Sequence, residues 1–367
     1  MDTVPLPPKP VRWGYWRPTM SGYEEGIAET KLAARFGWNL PVLRRQVAAN
    51  ASGGSGAYRL IAPAILAFTP GATVEVLRLA DWKRFGNAIR QLQHLFYVAE
   101  KYDVKRIEFP APHPLFRGSE VERFKLAWAP AVTLPAELQR LVPPRPGLFG
   151  DFFYVEGLGL QLTDDDRARM AATYLRPLLI PELSDPHPDV RAADIVLHFR
   201  AGDIFARQGK QGVHRGYGQP PLAFYLAAVE REKASRVWIV FEDRGNPAVD
   251  AAEAALRSKG IEVRMQSADL KADLRILTSA GCLVAGIGTF CEGAAALSAS
   301  LRRYYCFGSP PKWIQRLGIE VCAGTDIEGF YRSAAMSGNW AASPEQIALM
   351  LRYPERSIAF TEYPPTN

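Results

Sequence analysis

The feature that most constrains this chain is a regular alternation of short apolar runs and helix-patterned segments between residues 194 and 307. The runs at 194–200, 237–241, 262–266, 282–286 and 304–307 are too short for helices and are rich in β-branched and aromatic residues, which predicts strands. Between them, the segments near 221–232, 248–258, 270–279 and 290–298 place apolar residues at helical spacing. Ile195, Val196 and Leu197 form an unbroken apolar run, as expected of a strand covered on both faces. Strand and helix in strict alternation give an α/β fold with a doubly wound, parallel sheet. A later helix at 343–352 opens on Ser343-Pro344-Glu345, a serine cap with proline in the first turn.

The upstream half carries a weaker version of the same pattern. Residues 73–77 read as a strand, 87–102 as a helix with Ile89, Leu92, Leu95, Phe96 and Ala99 inward, and 105–110 as a second strand. Strand, helix and strand in that order form a right-handed crossover unit. A further strand is expected near 152–155. Thr163 then opens a helix running to about 179, with Asp164, Asp165 and Asp166 in the first turn, where carboxylates suit the helix dipole. Proline and acidic turn residues from Pro181 to Asp189 mark a domain boundary. The beginning is punctuated by prolines, with a flexible joint at Ser52 to Gly56 and a helix expected within 28–50, broken near Pro41. The chain therefore divides into an irregular or helical extension (1–60), two Rossmann-like domains (61–183 and 184–335), and a C-terminal helix and tail (336–367).

With 367 residues, 48% hydrophobic and 22% charged, the chain is long and apolar enough to bury two cores, which argues against disorder. A formal charge of +6 favours an anionic partner such as a nucleotide diphosphate, an acidic lipid surface or nucleic acid, unless it is simply a mildly basic surface. Cys282, Cys291, Cys306 and Cys322 lack metal-ligand spacing and read as reduced core thiols. Neither a signal-peptide core nor a membrane-length apolar window is found, so a soluble, cytoplasmic protein is expected.

In open parallel sheets the ligand lies beyond the carboxyl ends of the strands, so the polar residues after each apolar run carry the chemistry. The first strand ends in His198-Phe199-Arg200-Ala201-Gly202-Asp203. Alternation places His198 and Arg200 on one face and Phe199 on the other. Arg200 offers a planar fork of donors to a diphosphate, and Gly202 lets backbone approach the ligand. Asp203 can orient Arg200 or take a proton; the alternative is a surface ion pair between the two. A second group comprises Asp273 and the turn Ile287-Gly288-Thr289-Phe290, where a helix N-terminus and the Thr289 hydroxyl suit a phosphate, unless Thr289 is only a cap. Tyr217, in the segment His214 to Pro221, suits a donor-side wall. His94 and His113 read as structural.

Taken together, His198-x-Arg200-x-Gly202-Asp203, Asp273 and Thr289 resemble the donor-site pattern of the fucosyltransferase superfamily of GT-B fold, which includes alpha-1,2-, alpha-1,6- and protein O-fucosyltransferases. Gly86-Asn87 resembles the turn that opens the first helix of their N-terminal domain. The likeness covers roughly residues 72 to 310. It implies two Rossmann-like domains facing a cleft, a GDP-sugar donor (GDP-fucose in the first instance), inversion at the anomeric carbon, and neither metal nor other cofactor. It also implies that Arg200 holds the β-phosphate, that His198 and Asp273 recognise guanine, that Gly202, Gly288 and Thr289 contact the diphosphate, and that Asn87 lies near the reacting sugar, unless Asn87 is a simple helix cap. The C-terminal half has no Asp-x-Asp metal motif, which fits.

Two positions depart from the pattern: Ala201 stands where many relatives have a second arginine, and Gln208 where the alpha-1,6 branch has a glutamate base. Asp203, Glu156, Glu24 and Glu25 are the candidate bases. The expected activity is glycosyl transfer to a hydroxyl of a glycan or glycolipid precursor, with no nucleic-acid partner and a peripheral position at the inner membrane surface compatible with the charge. The alternatives are transfer from another nucleotide sugar, and a non-catalytic glycan- or nucleotide-binding protein on the same fold.

Overall fold

The computed structural model describes residues 58–62, 65–68, 76–79, 82, 84–104, 106–109, 113–117, 125–128, 147–150, 152, 153, 155, 160–205, 218–336 and 340–366. The helix expected within 28–50 lies outside them. The chain divides between Leu178 and Leu179 into two compact units.

The first unit holds β1 (Tyr58–Ala62), β2 (Ile65–Phe68), β3 (Val76–Leu79), α1 (Phe85–Lys101), β4 (Arg106–Phe109), β5 (Lys125–Trp128) and β6 (Gly147–Gly150). Its sheet runs β1-β2-β6-β3-β4-β5. The run β6-β3-β4-β5 is parallel, while β1 and β2 add an antiparallel hairpin on β6. All of the expected inward residues of α1, namely Ile89, Leu92, Leu95, Phe96 and Ala99, are buried. The strand expected at 152–155 falls instead at Gly147–Gly150, and Phe152 and Phe153 form the turn after it. Thr163 caps α2 (Asp164–Met170) through a reciprocal box with Asp166, so the threonine hydroxyl and the aspartate satisfy each other's backbone donors. The helix continues through a π-helical stretch at Ala171–Leu175 and a last turn at Arg176–Leu178.

The second unit contains β7 (Ile195–Phe199), α3 (Leu222–Glu232), β8 (Arg236–Phe241), α4 (Ala248–Ser258), β9 (Glu262–Gln266), α5 (Leu270–Ser279), β10 (Cys282–Val284), α6 (Thr289–Leu297), β11 (Arg303–Phe307), β12 (Glu320–Asp326), α7 (Pro344–Arg352) and β13 (Ile358–Tyr363). The sheet order is β13-β12-β11-β10-β7-β8-β9. Every neighbouring pair is parallel except β12 with β13. All five residues of β7 are buried, as a central strand covered on both faces requires. From β7 the chain moves out to β8 and β9, then crosses back to start β10 on the other side. The carboxyl ends of β7 and β10 therefore flank the topological switch point, where adjacent connections leave in opposite directions and a crevice opens.

Two strands of this unit, like β1, β2 and β5 of the first, were not expected from the sequence. β12 and β13 extend the sheet, so the segment 336–367, read as helix and tail, also supplies an edge strand. The Ser343 cap and the proline of α7 are as expected. All four cysteines are buried and free, and burial pushes their thiols up. No described helix is long and apolar enough to cross a membrane.

Candidate functional site at the sheet switch point

His198 is buried near the carboxyl end of β7, and its ring stacks on Phe290 of α6, with centroids 4.9 Å apart and planes 14° from parallel. Phe199 points to the other face and stacks on Tyr225 at 4.1 Å. The two residues thus divide as strand alternation dictates: Phe199 anchors α3, and His198 faces the switch point. Burial, reinforced by the nearby Arg200 charge, lowers the His198 pKa to about 3. The imidazole is therefore neutral, with one ring nitrogen a donor and the other an acceptor. Its Nδ1 is buried without a hydrogen-bond partner. Such atoms are uncommon in folded proteins, and Gln219 Nε2 and Arg275 Nε are others among the described residues.

Backbone closes in around this ring. A Cβ on Gly286, just beyond β10, would lie 2.9 Å from the His198 carbonyl and 3.1 Å from its Nδ1. Only glycine lets the ends of β7 and β10 approach this closely. Gly202 has φ +61°, in the left-handed region, and a Cβ there would lie 2.6 Å from a carboxylate oxygen of Glu242. Asn246 ties the loops together. Its Nδ2 donates to the Arg200 carbonyl (2.8 Å) while its Oδ1 accepts from the Ala248 amide (2.9 Å) at the start of α4.

Arg200 is half-buried directly after β7. Ala201 is fully buried, so an arginine in its place would have to carry its charge into the core. Asp203 lies in the 3-10 turn Gly202–Ile204. Across the switch point, Gly288 has φ +119° and is the cap residue of α6, with no side-chain cap. Thr289 is the first residue of the helix and not its cap, which corrects the capping alternative. Glycine at the cap position places no cap side chain at the start of α6, and a helix N-terminus suits an anion.

Asp273 is buried in the first turn of α5, which Asp269 caps by accepting from the Ala272 amide. One Asp273 oxygen accepts from Gln266 Nε2 and from the Ala268 amide, each at 3.0 Å. Burial raises its pKa despite these two hydrogen bonds. These bonds tie Asp273 to the end of β9 and leave Oδ2 as its second acceptor atom.

Asn87, in the first unit, is half-buried at the third position of α1; the cap position belongs to Arg84, so Asn87 is not a simple cap. His94 is buried and donates from Nδ1 to the Phe152 carbonyl at 3.0 Å, and burial lowers its pKa to about 3. His113 accepts from the Leu115 amide (3.3 Å) between Trp82 and Phe116, with its pKa lowered by burial to about 4. Both fit the structural reading. Tyr217, His214, Gln208, Glu156, Glu24 and Glu25 lie outside the described residues.

The sequence reading missed Glu242, Asn246, Gly286 and Phe290. The rule that picked out His198 and Arg200, polar residues just after an apolar strand, applies equally to Glu242 after β8. Among the described residues, one trio could offer ligands to a metal ion: Glu320, Cys322 and Glu362, with ligand atoms within 4.8 Å of one another. Both carboxylates already pair with arginines, Glu320 with Arg303 and Glu362 with Arg231.

No family model and no curated protein matches the chain. Among solved structures, it is similar to POFUT1 in complex with GDP, at 12% identity over 63% of this chain and 97% of that one, with a TM-score of 0.38. A second likeness is to an Arabidopsis thaliana FUT1 mutant in complex with GDP, at 12% identity over 82% and 78% of the two chains and a TM-score of 0.41. A third is to E. coli ADP-heptose LPS heptosyltransferase II, at 15% identity over 65% and 86%, with a TM-score of 0.33.

Proposed function

We propose that the protein is an inverting glycosyltransferase that binds the diphosphate of a nucleotide sugar, GDP-linked in the first instance, at the carboxyl ends of β7 and β10. The observation that carries this reading is the neutral, buried His198 with an unpartnered Nδ1 at the switch point, beside Arg200 and facing the glycine-capped start of α6. A diphosphate leaving group needs positive charge and fixed donors where its own charge grows. Arg200 would supply the charge, in place of a divalent ion, and the first amides of α6 the donors. Neutral His198 and the carboxylate of Asp273 offer the mixed donor and acceptor pattern that a purine edge requires. The acceptor in this reading is a hydroxyl of a glycan or glycolipid precursor.

Calorimetric titration with GDP, UDP and ADP, with and without EDTA, tests the proposal. GDP should bind tightest, and EDTA should leave its affinity unchanged. Preference for UDP would remove the guanine assignment of Asp273. Binding of a glycan with no nucleotide binding would favour the non-catalytic alternative.

A further inference from the structure

Resting on the nucleotide-sugar reading, we infer that Glu242 accepts hydrogen bonds from the ribose hydroxyls of the bound nucleotide, and so selects a ribonucleotide over its deoxy counterpart. The order of the sheet sets the strand ends in the line β10, β7, β8, β9. The diphosphate is assigned to the ends of β10 and β7. The base is assigned to Asp273, which bonds to Gln266 at the end of β9 and to the Ala268 amide just beyond it. Neighbouring strands stand about 4.8 Å apart, so the step from β7 to β9 covers roughly 10 Å, the scale of one nucleoside. In any nucleotide the sugar joins base to phosphate, and the strand between the two assigned ends is β8. The residue at its carboxyl end is Glu242.

The contacts of Glu242 reach to both sides. Phe199 of β7 pairs with Phe241 of β8, so Arg200 and Glu242, one residue past that pair, stand level. The carboxylate lies on the bare face of Gly202, where a Cβ would meet its two oxygens at 2.6 and 2.9 Å. On the β9 side, the Glu242 carbonyl accepts from Ser267 Oγ at 3.2 Å. The side chain is exposed, and among the described residues no side chain or amide hydrogen-bonds its carboxylate. Its neighbour Asp243 is turned to its own loop, with Oδ1 accepting from the Gly245 amide at 2.6 Å. Chemistry then selects the partner. An ionised carboxylate only accepts hydrogen bonds, and phosphate oxygens also accept and carry the same charge, so Glu242 does not serve the diphosphate. The donors of a guanine nucleotide are on the base edge and on the ribose. The base edge goes to Asp273, and the two adjacent ribose hydroxyls match the two oxygens of Glu242 in charge-assisted bonds.

The test is calorimetry on the full chain with GDP and 2′,3′-dideoxy-GDP, and with the corresponding ADP and UDP pairs, so that the pair of whichever base the wild type binds gives the answer. The wild type should bind the ribonucleotide on the order of tenfold or more tighter than the dideoxy form, as expected for hydrogen bonds to a charged group. In Glu242→Ala the two affinities should fall within about threefold of each other, chiefly through weaker binding of the ribonucleotide. Glu242→Gln keeps the shape and one acceptor oxygen, and its ratio should lie between the two. Each ratio is taken within one protein, so a shared change in folding cancels. A wild type that binds both forms equally overturns the assignment, and so does a Glu242→Ala variant that keeps the wild-type ratio. If the wild type binds none of these nucleotides, the nucleotide-sugar reading fails and Glu242 with it. If the wild type prefers a ribonucleotide and Glu242→Ala keeps that preference, only the role of Glu242 is lost.

Discussion

The two ends of the sheet in the second unit are made from the same strands and finished in opposite ways. At the amino end, Asp194 and Arg303 stand in dense networks of paired side chains. Asp194, buried just before β7, accepts from Arg236 through both oxygens, from Trp238 Nε1 at 3.1 Å and from the Arg191 amide at 2.8 Å. Burial pushes its carboxyl up, but these bonds outweigh that and hold it below the usual carboxylate range. Arg303 similarly bridges Glu232 and Glu320, and Tyr305 donates to Glu232. At the carboxyl end, glycines stand where a Cβ would clash with a neighbouring strand end, and a buried imidazole nitrogen has no partner. A network whose members satisfy one another serves stability. At the carboxyl end, the proposed reading gives His198 Nδ1 a ligand as its partner.

If this contrast is right, changes at the amino end should cost stability and changes at the carboxyl end should cost binding or turnover. The largest effect is expected for Asp194→Ala, which leaves the Arg236 guanidinium buried and unpaired and should lower unfolding free energy by about 3–5 kcal/mol. Urea titration measures it, and nucleotide affinity of the protein still folded should not change. Arg200→Ala should reverse the pattern: turnover falls on the order of a hundredfold, about 2.7 kcal/mol, with the urea midpoint nearly unmoved. Wild-type turnover would remove Arg200 from the mechanism. Gly286→Ala blurs the distinction, since its Cβ would press on His198. It should cost about 1–3 kcal/mol of stability and also weaken nucleotide binding.

The pH dependence is spread over both units, with His94 and His113 in the first and His198 in the second. Burial lowers the pKa values of His94, His113 and His198 to about 3, 4 and 3, below the ordinary histidine value of about 6.5. As pH falls, the unfolded chain takes up these protons first. Stability is therefore intact above about 6.5 and declines toward 3 or 4, by up to about 1.4 kcal/mol per pH unit for each histidine. Urea midpoints at pH 7.5 and 5.0 should differ, and His198→Gln should reduce the difference for the second unit. Equal midpoints would show that these histidines are not buried in neutral form.

Much of the second unit was legible in the sequence, because an interior parallel strand advertises itself. Ile195-Val196-Leu197 can only be buried on both faces, and α4, β9 and α5 fall where periodicity placed them. β13 was harder to see. Its residues are half-buried or exposed, as an edge strand's are, and Ile358-Ala359-Phe360 is too little pattern to separate a strand from a tail. β6 was missed because glycine at both its ends reads as a loop. In the site, the end of β7 was legible from the rule about strand ends. That Asp273 bonds toward β9 was not, since this depends on how α5 turns after Ala268. Glu242 stayed hidden for a related reason: a glycine in a sequence does not disclose which carboxylate occupies the volume it leaves.

The antiparallel pairing of β13 with β12 bears on how the second unit is assembled. Six successive residue pairs, from Val321 with Tyr363 to Asp326 with Ile358, join strands separated by the whole of residues 327–357. Until that last segment docks, β12 is an apolar border strand with unsatisfied amides and carbonyls, open to strand addition by another molecule. β13 thus covers the apolar β12 and puts the exposed Thr361 and Glu362 on the border of the sheet in its place.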